Sequence, residues 1–544
     1  MKYNILLLLI ALGIILGSCE DFLAESPTGT LTDEAIITSN PGGVALATGP
    51  YRSLASWTAG AQWWGGSVMN SLEYATGKAY SQYQASDLYK YEFGQQSGDS
   101  EYFILPWNFW YRGIRDCNLS IKKIPEVTGL SDTEKSKYLG EIRTLRALYY
   151  FILVRRYGDL IYNVKPTWTV EESSQPRVSL KTIYDKIIVP DLEFAVNQSA
   201  MADARSTGRV TKHVARMLMA DVYLTMAGYP YQEVTDTTVQ YCVQGLWTAT
   251  TYPVNTPSAR SFLQKAKEQI DFMAGLSSTY GTWNYSDLRQ PEMNNKNGAI
   301  FSIQYLAGTS NNGITNTTVP VAGHTTVYTV ESGTTVPALA YSNSYNPADL
   351  RLVDKQGYFY YGDNFASKYD INEGPAPKFP LPFLYKYYDY NAAKVTGMSG
   401  LNFPVYRWAD VMLMQTEINW TLGQLGQAVP EADIIKGINE IRTKAGLPIY
   451  QLADITLKEI MAERAYELIF ENKMLYDMRR TRKALADGSG QFTALVNLVG
   501  HQPTMFIYQF TAQHLLDPIS STEIDNNKFC LQNYGWSPKQ KDQN

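Results

Sequence analysis

The most restrictive stretch of this chain is residues 131–158, where a helix start, an apolar stripe and a helix stop follow without interruption. Ser131 and Glu134 have the Ser-x-x-Glu spacing that satisfies free N–H groups at a helix N-terminus. Tyr138, Leu139, Ile142, Leu145, Leu148, Tyr149, Ile152 and Leu153 then recur at helical period. Gly158 tolerates left-handed backbone and ends the run. The spacing predicts a helix over about 132–157. An isolated amphipathic helix gains most of its stability from tertiary packing, so this one demands helical neighbours. The sequence offers them over about 111–124, 180–196, 211–227, 258–274, 405–422, 431–445 and 456–480. Ala445-Gly446-Leu447-Pro448 is a glycine stop followed by proline, and Thr456 with Glu459 repeats the capping spacing. Paired helices of this kind suggest tetratricopeptide-type repeats, although no clean period of about 34 residues runs through the chain.

Residues 276–400 read differently. They are rich in Asn, Thr, Gly and Tyr, with short β-like runs such as Ala299-Ile300-Phe301-Ser302-Ile303. The pattern predicts long loops and short strands on a helical frame, and loops of that length in a compact protein carry function.

The first residues predict export. Met1 and Lys2 precede an apolar run from Ile5 to Leu16, which leads into Leu16-Gly17-Ser18-Cys19. The run fits a signal-peptide core of about 7–15 residues and is short of the roughly 20 that span a bilayer. A small-residue site ending in Cys resembles a bacterial lipobox. In that reading residues 1–18 are cleaved, Cys19 carries the lipid, and residues 19–40 form a tether.

Composition removes other classes. The net charge of −5 leaves no basic field for nucleic acid. Cys117, Cys242 and Cys530 are widely spaced, which fits neither a disulfide framework nor a zinc site. His213, His324, His501 and His514 lack metal-ligand spacing. No nucleophile elbow or phosphate-binding loop occurs. Glu463, Glu467 and Glu471 share a helical face, but Arg464, Lys473, Arg479 and Arg480 lie beside them, so ion pairing is the preferred reading over paired-carboxylate hydrolysis. The sequence therefore nominates no catalytic residue, metal or cofactor.

Aromatic residues are the better candidates, with 40 Tyr, 19 Phe and 11 Trp. A flat apolar ring with a polar tip suits packing between helices and stacking on sugars alike. Trp63-Trp64-Gly65-Gly66 is a poor core segment, because adjacent side chains point different ways. Trp63 and Trp64, with Asn70 and Tyr74 following, form one candidate ligand face. Tyr280, Trp283 and Tyr285 form the second, with Asn284 to pair with hydroxyls. Trp107, Trp110, Trp408, Trp420 and Trp536 read as packing.

Five segments in order resemble one family. They are Glu141-Ile142-Arg143-Thr144-Leu145-Arg146-Ala147-Leu148-Tyr149-Tyr150-Phe151 with Arg156-Tyr157-Gly158-Asp159, then Tyr406 to Met414, then Ile441 to Pro448, then Glu463 to Arg480, and finally Pro518 to Trp536. Together they resemble the SusD/RagB-like outer-membrane lipoproteins of Bacteroidetes type. Asn472 and Met474 stand where that family prefers Gly and Arg, and Ser520 where it prefers Pro. The resemblance implies a mainly α fold of about four tetratricopeptide-type helix pairs, with long loops and short strands forming a ligand face. It implies an N-terminal helical region at 41–229, a loop-rich region at 230–400 and a C-terminal helical region at 401–544. It further implies a surface-exposed, lipid-anchored glycan receptor that is no enzyme and that works with a SusC-like TonB-dependent transporter. The RagB branch leaves a peptide ligand as the alternative.

Overall fold

The computed structural model describes residues 33–54, 57–58, 61–62, 67–81, 87–203, 208–318, 335–360, 383–395, 397–487, 490 and 492–537. Helices carry the frame. α1 (Glu101–Lys123) packs on α2 (Asp132–Tyr157), α2 on α3 (Val189–Asn197), and α3 on α4 (Lys212–Met226). The series continues through α5 (Pro257–Ala274), α6 (Trp408–Gln424) and α7 (Glu431–Lys444), with α8 (Leu457–Glu467) also against α6. Most of these helices thus bury one face on a predecessor and another on a successor. This is the mainly α architecture that the sequence predicts. Trp107, Trp110, Trp408, Trp420 and Trp536 are all buried, as expected of packing residues.

α2 sits at the centre because its middle is apolar on every side: every residue from Ala147 to Val154 is buried. Its cap forms as the spacing predicts. The Glu134 carboxylate accepts from the Ser131 N–H at 2.9 Å, and Ser131 Oγ accepts from the Glu134 N–H at 3.3 Å. Gly158 closes the helix at φ 74°.

Four helices differ from the sequence reading, each for a physical reason. α1 begins about ten residues before the expected start at 111, because a proline hides its first turns. Pro106 has no N–H for the Tyr102 carbonyl. Arg156 Nη2, buried in α2, donates to that carbonyl instead, at 3.3 Å. The 180–196 helix is helical throughout but widens to a π turn at Tyr184–Ile188, immediately before Pro190. The proline ring would clash with the carbonyl four residues earlier, and the wider turn relieves it. The 405–422 helix starts only at Trp408, because Phe403–Arg407 is a fully buried strand.

The predicted helix over 456–480 is two helices, α8 and α9 (Met474–Thr481). Between them Phe470 and Asn472 adopt left-handed backbone, at φ 55° and 61°. Such φ values favour Gly and, next to it, Asn. That explains why the family prefers Gly at the position of Asn472 and why Asn is the tolerated exception. The turn is held by borrowed donors. Lys386 Nζ reaches the Glu467 and Ile469 carbonyls at 3.2 and 3.0 Å, and the Tyr387 hydroxyl reaches the Phe470 carbonyl at 3.1 Å.

Glu463, Glu467 and Glu471 are ion-paired, as preferred above. Arg351 meets Glu463 and Glu467 at 2.8 and 3.1 Å, and Arg407 meets Glu467 and Glu471 at 2.8 Å each. Lys386 closes the cluster on Glu471. All six side chains are buried.

Strands are short. β1 (Ala79–Ser81) pairs antiparallel with β3 (Thr335–Pro337), Ala79 opposite Pro337. β2 (Ala299–Ile303), the strand that the sequence predicts, pairs antiparallel with β4 (Phe403–Arg407), Phe403 opposite Ile303. The β2–β4 pair joins the loop-rich part of the chain to the C-terminal helices, and one candidate cleft lies beside it. Cys117, Cys242 and Cys530 are free and buried.

Candidate functional site

Two places in the described residues bear on the aromatic candidates. The first is the corner where β1 meets β3. A short helix, Ser67–Tyr74, leads into it. Tyr74 lies at its end, 1% exposed, with its hydroxyl 2.6 Å from Thr335 Oγ1. Its ring is core and presents no face to solvent, which departs from the ligand contact expected of it. Asn70 lies on the same helix, and its side chain is outside the described residues. Trp63, Trp64 and Cys19 also lie outside the described residues. Phe383–Leu384 lies against β3, so four backbone segments converge on this corner.

Below the corner, Glu73 ties the N-terminal part to the C-terminal turn. Its Oε1 accepts the backbone N–H of Asn472 at 2.7 Å. Burial lifts its carboxyl from 4.5 to about 7, against the pull of that N–H and of the Lys386 ammonium, while Glu471 adds to the rise. Between about pH 4.5 and 7 the folded chain keeps a proton that the unfolded chain has released. Stability from this group therefore falls as pH rises across that window and levels off above it. Glu73→Gln keeps the acceptor and removes the charge. Chemical denaturation should find the variant equal to the parent near pH 4.5 and more stable by about 3 kcal/mol at pH 8. A difference independent of pH would contradict the buried-acid account.

The second place is a cleft of about 540 Å³, open solvent at its mouth included, between the loop after α5 and β4. Trp283 and Trp408 supply flat apolar wall; Asn294, Asn295 and Asn402 supply amides. The amides are fixed by one another. Asn402 Nδ2 donates to Gln304 Oε1 at 2.9 Å, Asn295 Nδ2 to the same oxygen at 2.7 Å, and Asn294 Oδ1 accepts the Asn402 N–H at 3.0 Å. Asn295 sits at φ 58°, a conformation that Asn tolerates better than most residues.

Trp283 is only 6% exposed, and its ring is crowded by cations. Lys444 Nζ lies 4.8 Å from the ring centroid and the Arg407 guanidinium 5.4 Å, both within cation–π reach. Arg407 is held there by Glu467 and Glu471. Tyr285 meets Trp283 edge-on at 5.4 Å and Tyr358 at 5.0 Å, so it braces the wall from behind. Tyr280 is elsewhere. The short helix Ser277–Tyr280 turns it back toward α4, where it is 1% exposed and its hydroxyl sits 3.0 Å from His213 Nδ1. Like Tyr74 it is a packing residue, and three candidates adjacent in sequence end up in three different roles.

The structure adds what the sequence reading missed: the amides Asn294, Asn295, Gln304 and Asn402. A signal existed in the run Asn294-Asn295-Lys296-Asn297, but the partner amide of Asn402 is about a hundred residues away and only the fold brings it in. No group of His, Cys, Asp or Glu side chains among the described residues could hold a metal ion, and no helix among them is long and apolar enough to cross a membrane.

Known proteins share this architecture. A sequence model of the SusD family matches residues 340–536, and a second, described as "Starch-binding associating with outer membrane", matches residues 53–224. A SusD superfamily protein from Parabacteroides distasonis is 30% identical, with a TM-score of 0.77 over 93% of this chain and 100% of that one. A SusD-like protein of Bacteroides ovatus is 23% identical over 87% of this chain and 81% of its own length. In fold alone, the chain is also similar to the surface glycan-binding protein A of Bacteroides thetaiotaomicron, solved with laminarihexaose. There the TM-score is 0.69 at 18% identity, over 91% of this chain and 100% of that one.

Proposed function

Because the chain belongs to the SusD/RagB-like family, we propose that it is a lipid-anchored receptor that captures glycans at the cell surface and passes them to a SusC-like TonB-dependent transporter. Its role is binding and not catalysis. The observation that carries the reading is the match to a SusD superfamily structure along the whole of that chain at 30% identity. The cleft adds chemistry that suits a sugar: a tryptophan wall for a ring face and pre-oriented amides for hydroxyls. The Trp63-Trp64 pair, in the chain segment before the Ser67–Tyr74 helix, is a second proposed ligand-contacting cluster. Cys19 is the proposed lipid attachment point. Labelling with a tagged fatty acid should mark the chain and leave Cys19→Ala unmarked; equal labelling of both would place the anchor elsewhere.

The binding test is affinity electrophoresis of the chain lacking residues 1–19 against plant, host and microbial polysaccharides. Retardation by one of them is expected. Trp63→Ala, Trp64→Ala and Trp283→Ala should each weaken it about tenfold, the weight of one aromatic contact. Undiminished retardation in all three would remove these residues from the site. No retardation by any polysaccharide, with binding of peptides instead, would replace glycan by peptide as the ligand.

A further inference from the structure

A chamber opens under residues 90–100. Its mouth, about 570 Å³ with open solvent included, is lined by Lys90, Ser97 and Asp99, and its inner wall by Tyr91, Gln96 and Phe103. The same three inner residues line an adjoining recess, about 310 Å³ with open solvent included, that reaches Arg479 and Tyr508. Neither the Trp283 cleft nor the proposed transfer to a transporter uses this space.

Two buried polar atoms at the recess have no partner: Gln96 Oε1 and Arg479 Nη1. Everything else on those side chains is engaged. Arg479, 6% exposed, gives Nη2 to Asp517 at 2.7 Å and both Nε and Nη2 to the His514 carbonyl at 3.3 and 3.1 Å. Gln96 Nε2 donates to the Tyr508 hydroxyl at 3.4 Å. The recess is therefore left with one unmet acceptor and one unmet donor, beside two apolar rings. Buried polar atoms are rarely left in that state.

The pairing of unmet groups calls for an occupant that both donates and accepts, and the two rings beside it favour one with C–H faces. A carboxylate cannot donate to Gln96 Oε1 and would face Asp517. An ammonium cannot accept from Arg479. A hydroxyl does both, and a pyranose adds C–H faces that pack against Tyr91 and Phe103. Ala75, the residue after the Ser67–Tyr74 helix, lines the recess, and the Tyr91 ring packs 6.4 Å from the buried ring of Tyr74.

We propose that this chamber is a second saccharide seat, holding one neutral pyranose with its hydroxyls on Gln96 Oε1 and Arg479 Nη1. The inference rests on the reading of the chain as a glycan receptor. The probe is D-glucose, used in two ways on the chain lacking residues 1–19: soaked into crystals, and titrated in solution by saturation-transfer NMR. The expected result is a pyranose between Tyr91 and Phe103 in the crystal, with saturation transfer that Gln96→Leu weakens about tenfold, the effect of one buried hydrogen bond. Ordered water alone in the chamber at saturating D-glucose overturns the proposal, and so does transfer unchanged by Gln96→Leu. Failure of the receptor reading looks different: no polysaccharide retards the unaltered chain. Failure of the second seat leaves that retardation intact.

Discussion

Glu467→Ala should destabilise the protein by about 3–5 kcal/mol, the range found when one member of a buried ion pair is removed and its partner is left uncompensated. Glu467 is fully buried and serves three groups at once: Arg407 Nη1 at 2.8 Å, Arg351 Nη1 at 3.1 Å and the Tyr358 hydroxyl at 2.8 Å. Arg351 keeps Asp349 and Glu463, and Arg407 keeps Glu471. The two guanidiniums then sit closer to net positive than the core tolerates. Glu467→Gln should cost less, because the amide oxygen still accepts from Tyr358. Denaturant unfolding of the three proteins checks the order. A loss below about 1 kcal/mol for the alanine variant would place the pair in the class of screened surface bridges. The effect should also reach the Trp283 cleft, since Arg407 forms part of its wall.

Gly437→Ala should destabilise by about 2 kcal/mol or more, against the usual direction for a helix interior. Alanine is a better helix former than glycine by about 1 kcal/mol, so propensity alone predicts a gain. Packing reverses it. A Cβ at position 437 would lie 1.9 Å from the Met412 carbonyl oxygen and 2.8 Å from Thr416 Oγ1. The carbonyl belongs to α6 and cannot swing aside like a side chain, so α6 and α7 must separate. Overpacking of this kind costs about 1–3 kcal/mol and sometimes more, and a 1.9 Å approach to a backbone oxygen belongs at or above the top of that range, so the propensity gain offsets only part of it. Gly423→Ala is the control: its nearest neighbour would be Ile434 Cδ1 at 3.8 Å, an ordinary contact. A stabilised Gly437→Ala protein would mean that the α6–α7 approach is looser than the structure has it.

The helices were legible where periodicity and caps agreed. α2, α4, α5 and α7 match the predicted spans to within a residue or two, because an apolar stripe and its stop signals are local properties. Two of the misses share a cause, which is that a distant side chain changed a local rule. Pro106 fits inside α1 only because Arg156 satisfies the Tyr102 carbonyl. The 456–480 helix breaks only because Lys386, Arg407 and Tyr387 take the carbonyls of residues 467–470. Of the candidate site, Trp283 lines a cleft, Tyr285 backs it, and Tyr280 and Tyr74 are core. A row of aromatics cannot declare which ring faces out, since both environments favour the same side chains. The amides of the cleft were invisible for the opposite reason: each is ordinary in sequence, and the site exists only once Asn402 reaches Gln304.

Several of the strongest ties in this protein join its beginning to its end. Glu73 holds Asn472, Lys78 pairs with Asp487, and Arg156 pairs with Asp517. A polypeptide is made with its N-terminus leading. The early residues of this one therefore wait for partners that arrive last. Until residues 472–517 emerge, Glu73, Lys78 and Arg156 remain hydrated and the first helices lack the anchors that fix them. Closure of the fold therefore waits for the last segment of the chain.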